Sequence, residues 1–111
     1  MTFSKSNIAA LAAEHFQLEV SVKELPGEID LNFLVQTPAG AKFTLKIAHP
    51  DTLREYLEFQ NALMQRLGSA NLGLEIPEVV KSVAGEDITL VTAPDGSQRL
   101  MRLLSWVEGR C

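Results

Sequence analysis

Residues Ala41 to Ala48 alternate apolar and polar side chains strictly enough that a strand buried on one face accommodates them best. Phe43, Leu45 and Ile47 fall on one side, and Lys42, Thr44, Lys46 and Ala48 on the other. A strand carries hydrogen-bonding groups along both edges, so such a run needs partners. The chain before it supplies them. Leu18 to Leu25 alternates through Leu18, Val20 and Val22, and Asn32 to Gln36 is a second extended run. Pro26-Gly27 separates these two, and Thr37-Pro38-Ala39-Gly40 separates the second from Ala41. Proline presets one turn dihedral and glycine admits positive φ, so three strands in an antiparallel meander are expected.

The period then changes. Leu53, Leu57, Gln60, Met64 and Leu67 recur at helical spacing, with Tyr56 and Leu63 beside the stripe. A helix over 51–68 is expected, with Asp51 as cap, Thr52 and Glu55 matching the reciprocal capping box, and Gly68 as the left-handed terminator. Gln60 interrupts the stripe, and an amide turned towards a core must find partners there. A shorter helix is expected from Ser6 to Phe16, with Ile8, Leu11, Ala12 and His15 on one face and Ser4, Ser6 or Asn7 as cap. After a loop from Ser69 to Pro77, Glu78 to Ala84 is extended and Gly85-Glu86-Asp87 turns. Ile88 to Thr92 and Gln98 to Leu104 are strands joined at Pro94-Asp95-Gly96-Ser97. The expected class is α+β: about five mainly antiparallel strands packed on one main helix, plus a short N-terminal helix.

A chain of 111 residues builds one core and so one domain, residues 1–111. A net charge of -4 without a dense Lys/Arg cluster argues against a nucleic-acid surface. No apolar run approaches a membrane span, and the N-terminal residues lack a signal-peptide pattern. The single cysteine, Cys111, leaves no internal disulfide and fits a reducing, cytoplasmic compartment. His15 and His49 stand without ligand-spaced neighbours, so no metal site is expected. Lys46 on the polar face of a strand is, by itself, an ordinary solvated lysine, and Asp30, Glu55 and Glu58 are ordinary surface acids. No Ser/His/Asp or Cys/His arrangement stands out.

The ordered set is more specific than its parts. Leu25-Pro26-Gly27-Glu28-Ile29-Asp30-Leu31-Asn32-Phe33, the Gly40 turn and Phe43-Thr44-Leu45-Lys46-Ile47-Ala48 resemble the N-terminal, ATP-binding lobe of the aminoglycoside phosphotransferase family. Leu57-Glu58-Phe59-Gln60-Asn61, Ile76-Pro77-Glu78-Val79-Val80 and Arg102-Leu103-Leu104-Ser105-Trp106-Val107-Glu108-Gly109 continue the likeness in order. The chain looks most like the branch that includes hydroxylysine kinase, and the resemblance runs from Leu18 onward.

The resemblance implies a protein-kinase-like lobe and a set of roles. Lys46 would reach the α- and β-phosphates of ATP, and Thr44 would line the adenine slot. The turn Gly27-Glu28-Ile29-Asp30 would cover the phosphates with backbone amides. Leu104 would gate the adenine pocket, the Ser105 carbonyl and Val107 amide would pair with the adenine edge, and Gly109 would be the hinge exit. Family members usually place a helix glutamate against the strand lysine; Gln60 stands there and is expected to hydrogen-bond to Lys46. No His-x-Asp-x-x-x-x-Asn element is present, so Mg²⁺ ligands and catalytic groups are expected in a C-terminal lobe. The implied partners are ATP, that lobe and a small hydroxyl-bearing substrate: an amino alcohol, a hydroxy-amino acid or an aminoglycoside. Residues 105–111 are expected to be the hinge at which the lobe is cut. An isolated lobe would expose apolar surface and self-associate. The competing expectation is a non-catalytic interaction module or a degenerate lobe, indifferent to Lys46.

Overall fold

The computed structural model describes residues 3–27, 30–70 and 75–107. In chain order the elements are α1 (Lys5–Phe16), β1 (Ser21–Leu25), β2 (Leu31–Gln36), β3 (Lys42–Ile47), α2 (Arg54–Ser69), β4 (Val79–Val80), β5 (Thr89–Thr92) and β6 (Gln98–Ser105). The three early strands form the expected meander. Its second turn is closed by Thr37 N–H to the Ala41 carbonyl at 2.9 Å and by Gly40 at φ 99°, a conformation that favours glycine. The sheet runs β1-β2-β3-β6-β4, with β5 also on β6. All pairings described are antiparallel. β4 lies opposite Leu103 and Leu104, whereas β5 lies opposite Gln98 to Met101. The two therefore share one edge of the long β6, so six strands make a sheet five strands wide.

One face of the sheet carries the main core. Phe33, Val35, Leu45, Ile47, Met101 and Leu103 meet Phe3, Ile8 and Ala12 there. The helix on that face is α1, so the N-terminal helix does most of the packing expected of the later one. α1 begins at Lys5 because Ser4 caps it reciprocally. The Ser4 hydroxyl accepts from the Asn7 backbone amide at 3.1 Å, and the Asn7 side-chain Oδ1 accepts from the Ser4 amide at 2.9 Å. Replacing Ser4 with alanine is expected to cost about 0.5–2 kcal/mol, read as a lower urea midpoint with an unchanged slope.

α2 departs from expectation at both ends. Its N-cap is Leu53, with no side-chain cap, and Asp51 and Thr52 precede the helix. The Asp51 amide donates to His49 Nδ1 and the Thr52 amide to the His49 carbonyl, so 49–52 form a turn of their own. Gly68 lies inside the helix, which closes on Ala70 in right-handed geometry. Leu53 and Leu67 are 69% and 39% exposed, so the inward stripe is shorter than its period suggested. Leu57 alone is buried, in a small second cluster with Ala48, Ile88 and Leu100. Val83 and Ala84 are also not extended: Ser82 N–H bonds to the Glu86 carbonyl and Gly85 N–H to the Ser82 carbonyl. Among the described residues, no helix is long and apolar enough to cross a membrane.

Candidate functional site

Packing Phe43, Leu45 and Ile47 against the core, Phe43 only partly buried, forces Thr44 and Lys46 to the opposite face of β3, because side chains alternate along a strand. Register then assembles two rows on that face. Asn32, Lys46 and Arg102 lie side by side across β2, β3 and β6. Two residues further along, Leu34, Thr44, Leu104 and Val79 form the next row. The rows are separated by about 7 Å, two residues of strand rise. A cationic row thus lies beside a largely apolar one, with α2 over the first.

Lys46 Nζ donates to Asn32 Oδ1 at 2.6 Å, and Asn32 Nδ2 donates to the Pro26 carbonyl at 3.4 Å. A side-chain carbon at Gly27 would collide with Asn32 Nδ2 and with the Asp30 carbonyl. Glycine is required there because the chain at residue 27 lies directly on the asparagine that holds Lys46. Asp30 ties the ends of β2 and β3 together, its Oδ1 accepting from the His49 amide at 3.4 Å.

Among the described residues, no carboxylate lies within ion-pair distance of Lys46. Burial pushes its pKa below 10.5; the charge of Asp30 opposes this and that of Arg102 reinforces it. The folded state therefore releases this proton before the unfolded chain does. Between the lowered value and 10.5 the unfolded chain holds more protons, so the contribution of Lys46 to stability rises with pH across that window. With the five lysines reductively ¹³C-methylated, the Lys46 resonance is expected to titrate at lower pH in the folded chain than in the urea-unfolded chain.

Arg102 is only 3% exposed. Its Nη1 donates to Asn61 Oδ1 at 2.8 Å and its Nη2 to Gln60 Oε1 at 3.1 Å. Burial pushes the guanidinium pKa down, against the fields of Asp30 and Tyr56. Gln60 faces the sheet as expected, but its partner is Arg102 and not Lys46. At the end of β6, Ser105 N–H bonds to the Glu78 carbonyl at 2.8 Å, and the Glu78 amide bonds to the Ser105 hydroxyl at 2.8 Å. That amide is thus taken by a side chain and not by the Ser105 carbonyl. A groove of about 730 Å³ lies between α2 and the segment 76–88, lined by Glu58, Met64, Pro77 and Lys81 among others. Neither Lys46 nor Thr44 lines it.

Residues 21–110 match the phosphotransferase enzyme family, APH. The chain belongs to that family. The fold agrees with solved members of the small-molecule kinases. The structure of amicoumacin kinase hAmiN in complex with AMP-PNP, Ca²⁺ and Ami superposes with a TM-score of 0.74 at 24% identity. The microcompartment-associated aminopropanol kinase gives 0.79 at 19% identity. They cover 97% and 96% of this chain, which spans 32% and 33% of theirs. No curated protein matches its sequence.

Within this APH lobe, Lys46, Thr44 and Leu104 share one face, with Gly27 and Asp30 at the edge nearest Lys46. Gln60 lies above Arg102, Ser105 ends β6 opposite Phe43, and Val107 follows beyond the strand. Glu28 and Gly109 lie outside the described residues. Asn32, Asn61 and Arg102 belong to the cluster without having been expected in it. Arg102 had a signal: it stands two residues before Leu104 on one strand and so faces the same way.

Proposed function

We propose that this chain is the nucleotide-binding lobe of an ATP-dependent phosphotransferase that acts on a hydroxyl of a small amino alcohol, hydroxy-amino acid or aminoglycoside. The observation that carries the reading is Lys46: half-buried beside Arg102, held by a neutral amide, and adjacent to the apolar row of Leu34, Thr44, Leu104 and Val79. A polyphosphate needs cationic donors, and an adenine needs a flat apolar slot with a backbone edge. Lys46 meets the α- and β-phosphates, and Thr44 and Leu104 meet the base. The role assigned to Gly27-Glu28-Ile29-Asp30 is to cover the phosphates with backbone amides, while Gln60 acts on the site through Arg102. The Ser105 carbonyl and Val107 amide supply the edge contacts. The kinase bound to AMP-PNP and Ca²⁺ supports nucleotide with a divalent ion as the cofactor pair.

Mg²⁺ would shield the phosphates during transfer. Among the described residues, no three His, Cys, Asp or Glu side chains converge on a cation site. In this reading its ligands and the groups that activate the hydroxyl come from a C-terminal lobe, and this lobe alone does not turn over substrate. The amino-alcohol class is supported by the aminopropanol kinase likeness. Titrating the ¹⁵N-labelled chain with Mg-ATP tests the reading. Shifts are expected at Lys46, Thr44, Ser105 and Val107. Shifts confined to the groove at Glu58 and Lys81, or none at millimolar nucleotide, would overturn it.

A further inference from the structure

We propose that Arg102 is the positioning residue of α2: its guanidinium forks onto Gln60 and Asn61 and holds the helix on the sheet, which leaves Lys46 uncommitted to an acid among the described residues and available to a polyanion. The helix needs such a hold. Leu57 is its one buried residue, while Tyr56, Phe59 and Leu63 are 58%, 64% and 46% exposed. Arg54 fastens the first turn, Nη2 donating to the Ile88 carbonyl at 3.3 Å. Arg102 grips the middle, from inside the sheet, with two directed bonds to adjacent residues. Lysine there would be a point donor and could not reproduce that fork. The acceptors matter as much as the donor. Because Gln60 and Asn61 are neutral, the Lys46–Arg102 row keeps its positive charge instead of spending it on helix anchoring.

The availability of Lys46 to a polyanion rests on the nucleotide reading above, whereas the anchoring does not. Amide hydrogen exchange of the 111-residue chain, without nucleotide, therefore tests anchoring alone. Arg102→Lys is expected to speed exchange across the middle of α2 on the order of tenfold, the effect of about one net hydrogen bond. Protection in β2 and β3 should hold, and Lys46→Met should leave α2 unchanged. Wild-type protection in Arg102→Lys, or equal loosening in Lys46→Met, would overturn the proposal. Gln60→Glu guards against a variant that fails to fold, since it strengthens the contact to a charge-assisted bond. It should slow α2 exchange, and the slowing should survive Lys46→Met but vanish with Arg102→Met. The reverse pattern would assign the anchor to Lys46. A chain that passes these tests yet binds no Mg-ATP would retain the anchor and lose the nucleotide reading.

Discussion

Replacing Lys46 with methionine is expected to weaken Mg-ATP binding about 10- to 100-fold while leaving the lobe as stable as before, or slightly more so. The affinity estimate follows from losing one charge-assisted contact to phosphate, worth about 1.5–3 kcal/mol. The stability side follows from the surroundings. Burial already depresses the Lys46 pKa, and Arg102 depresses it further, so the charged form is held at a cost that Asp30 only partly offsets. Methionine keeps most of the stem and removes that cost, at the loss of the hydrogen bond to Asn32. Calorimetric titration with Mg-ATP and thermal unfolding of the same samples separate the two effects. Lower affinity at an unchanged melting temperature is the signature of a ligand contact. Parallel losses in both would make Lys46 a scaffold residue, and unchanged affinity would remove it from the site.

Much of this architecture was legible in residue order because alternation decides which face a side chain takes. Packing of Phe43, Leu45 and Ile47 on the core left Thr44 and Lys46 no other side, and the turns at Gly27 and Gly40 marked where the meander folds back. Register was not legible. That Arg102 sits against Lys46, and Asn32 on its other flank, depends on pairing across β2, β3 and β6, separated by up to 70 positions in the chain. Without register, Gln60 had one conspicuous partner, Lys46, and the arginine that takes its oxygen stayed hidden. The α2 boundary failed for a different reason. Asp51 and Thr52 are good capping residues, but the His49 side chain and carbonyl engage their amides in a turn before the helix begins. The stripe overcounted core positions because apolar residues also occupy the outward face, at Tyr56, Phe59 and Leu63. Periodicity identifies a helix but does not say which of two apolar stripes meets the sheet. The packing of α1 on the strands depends on Phe3, which precedes the periodic segment altogether and so gives no periodic signal.

Phe3→Ala is expected to cost about 3–5 kcal/mol, the largest single stability loss argued for this chain. Phe3 is 1% exposed and sits in the same core as Ile8, Val35 and Leu45. Domains of this size have roughly 5–15 kcal/mol in total, so the variant should be partly unfolded at 37 °C. Urea denaturation checks it, with Tyr56→Ala, at a position 58% exposed, as the control expected to stay within about 0.5 kcal/mol. The comparison bears on what constitutes the lobe. The family match begins at residue 21, after Phe3 and α1. The structural likeness nevertheless covers 96–97% of the chain, the N-terminal helix included. If α1 were a detachable appendage, losing Phe3 would cost little and leave the sheet cooperative. If α1 forms the back wall of the sheet, its loss should release β2, β3 and β6 together. Lys46 would then lose its neighbours Asn32 and Arg102 through a residue that lies on the other face of the sheet. Mg-ATP binding of Phe3→Ala should accordingly fall with the folded fraction and recover when cooling restores the fold, whereas the Lys46→Met deficit should persist at every temperature.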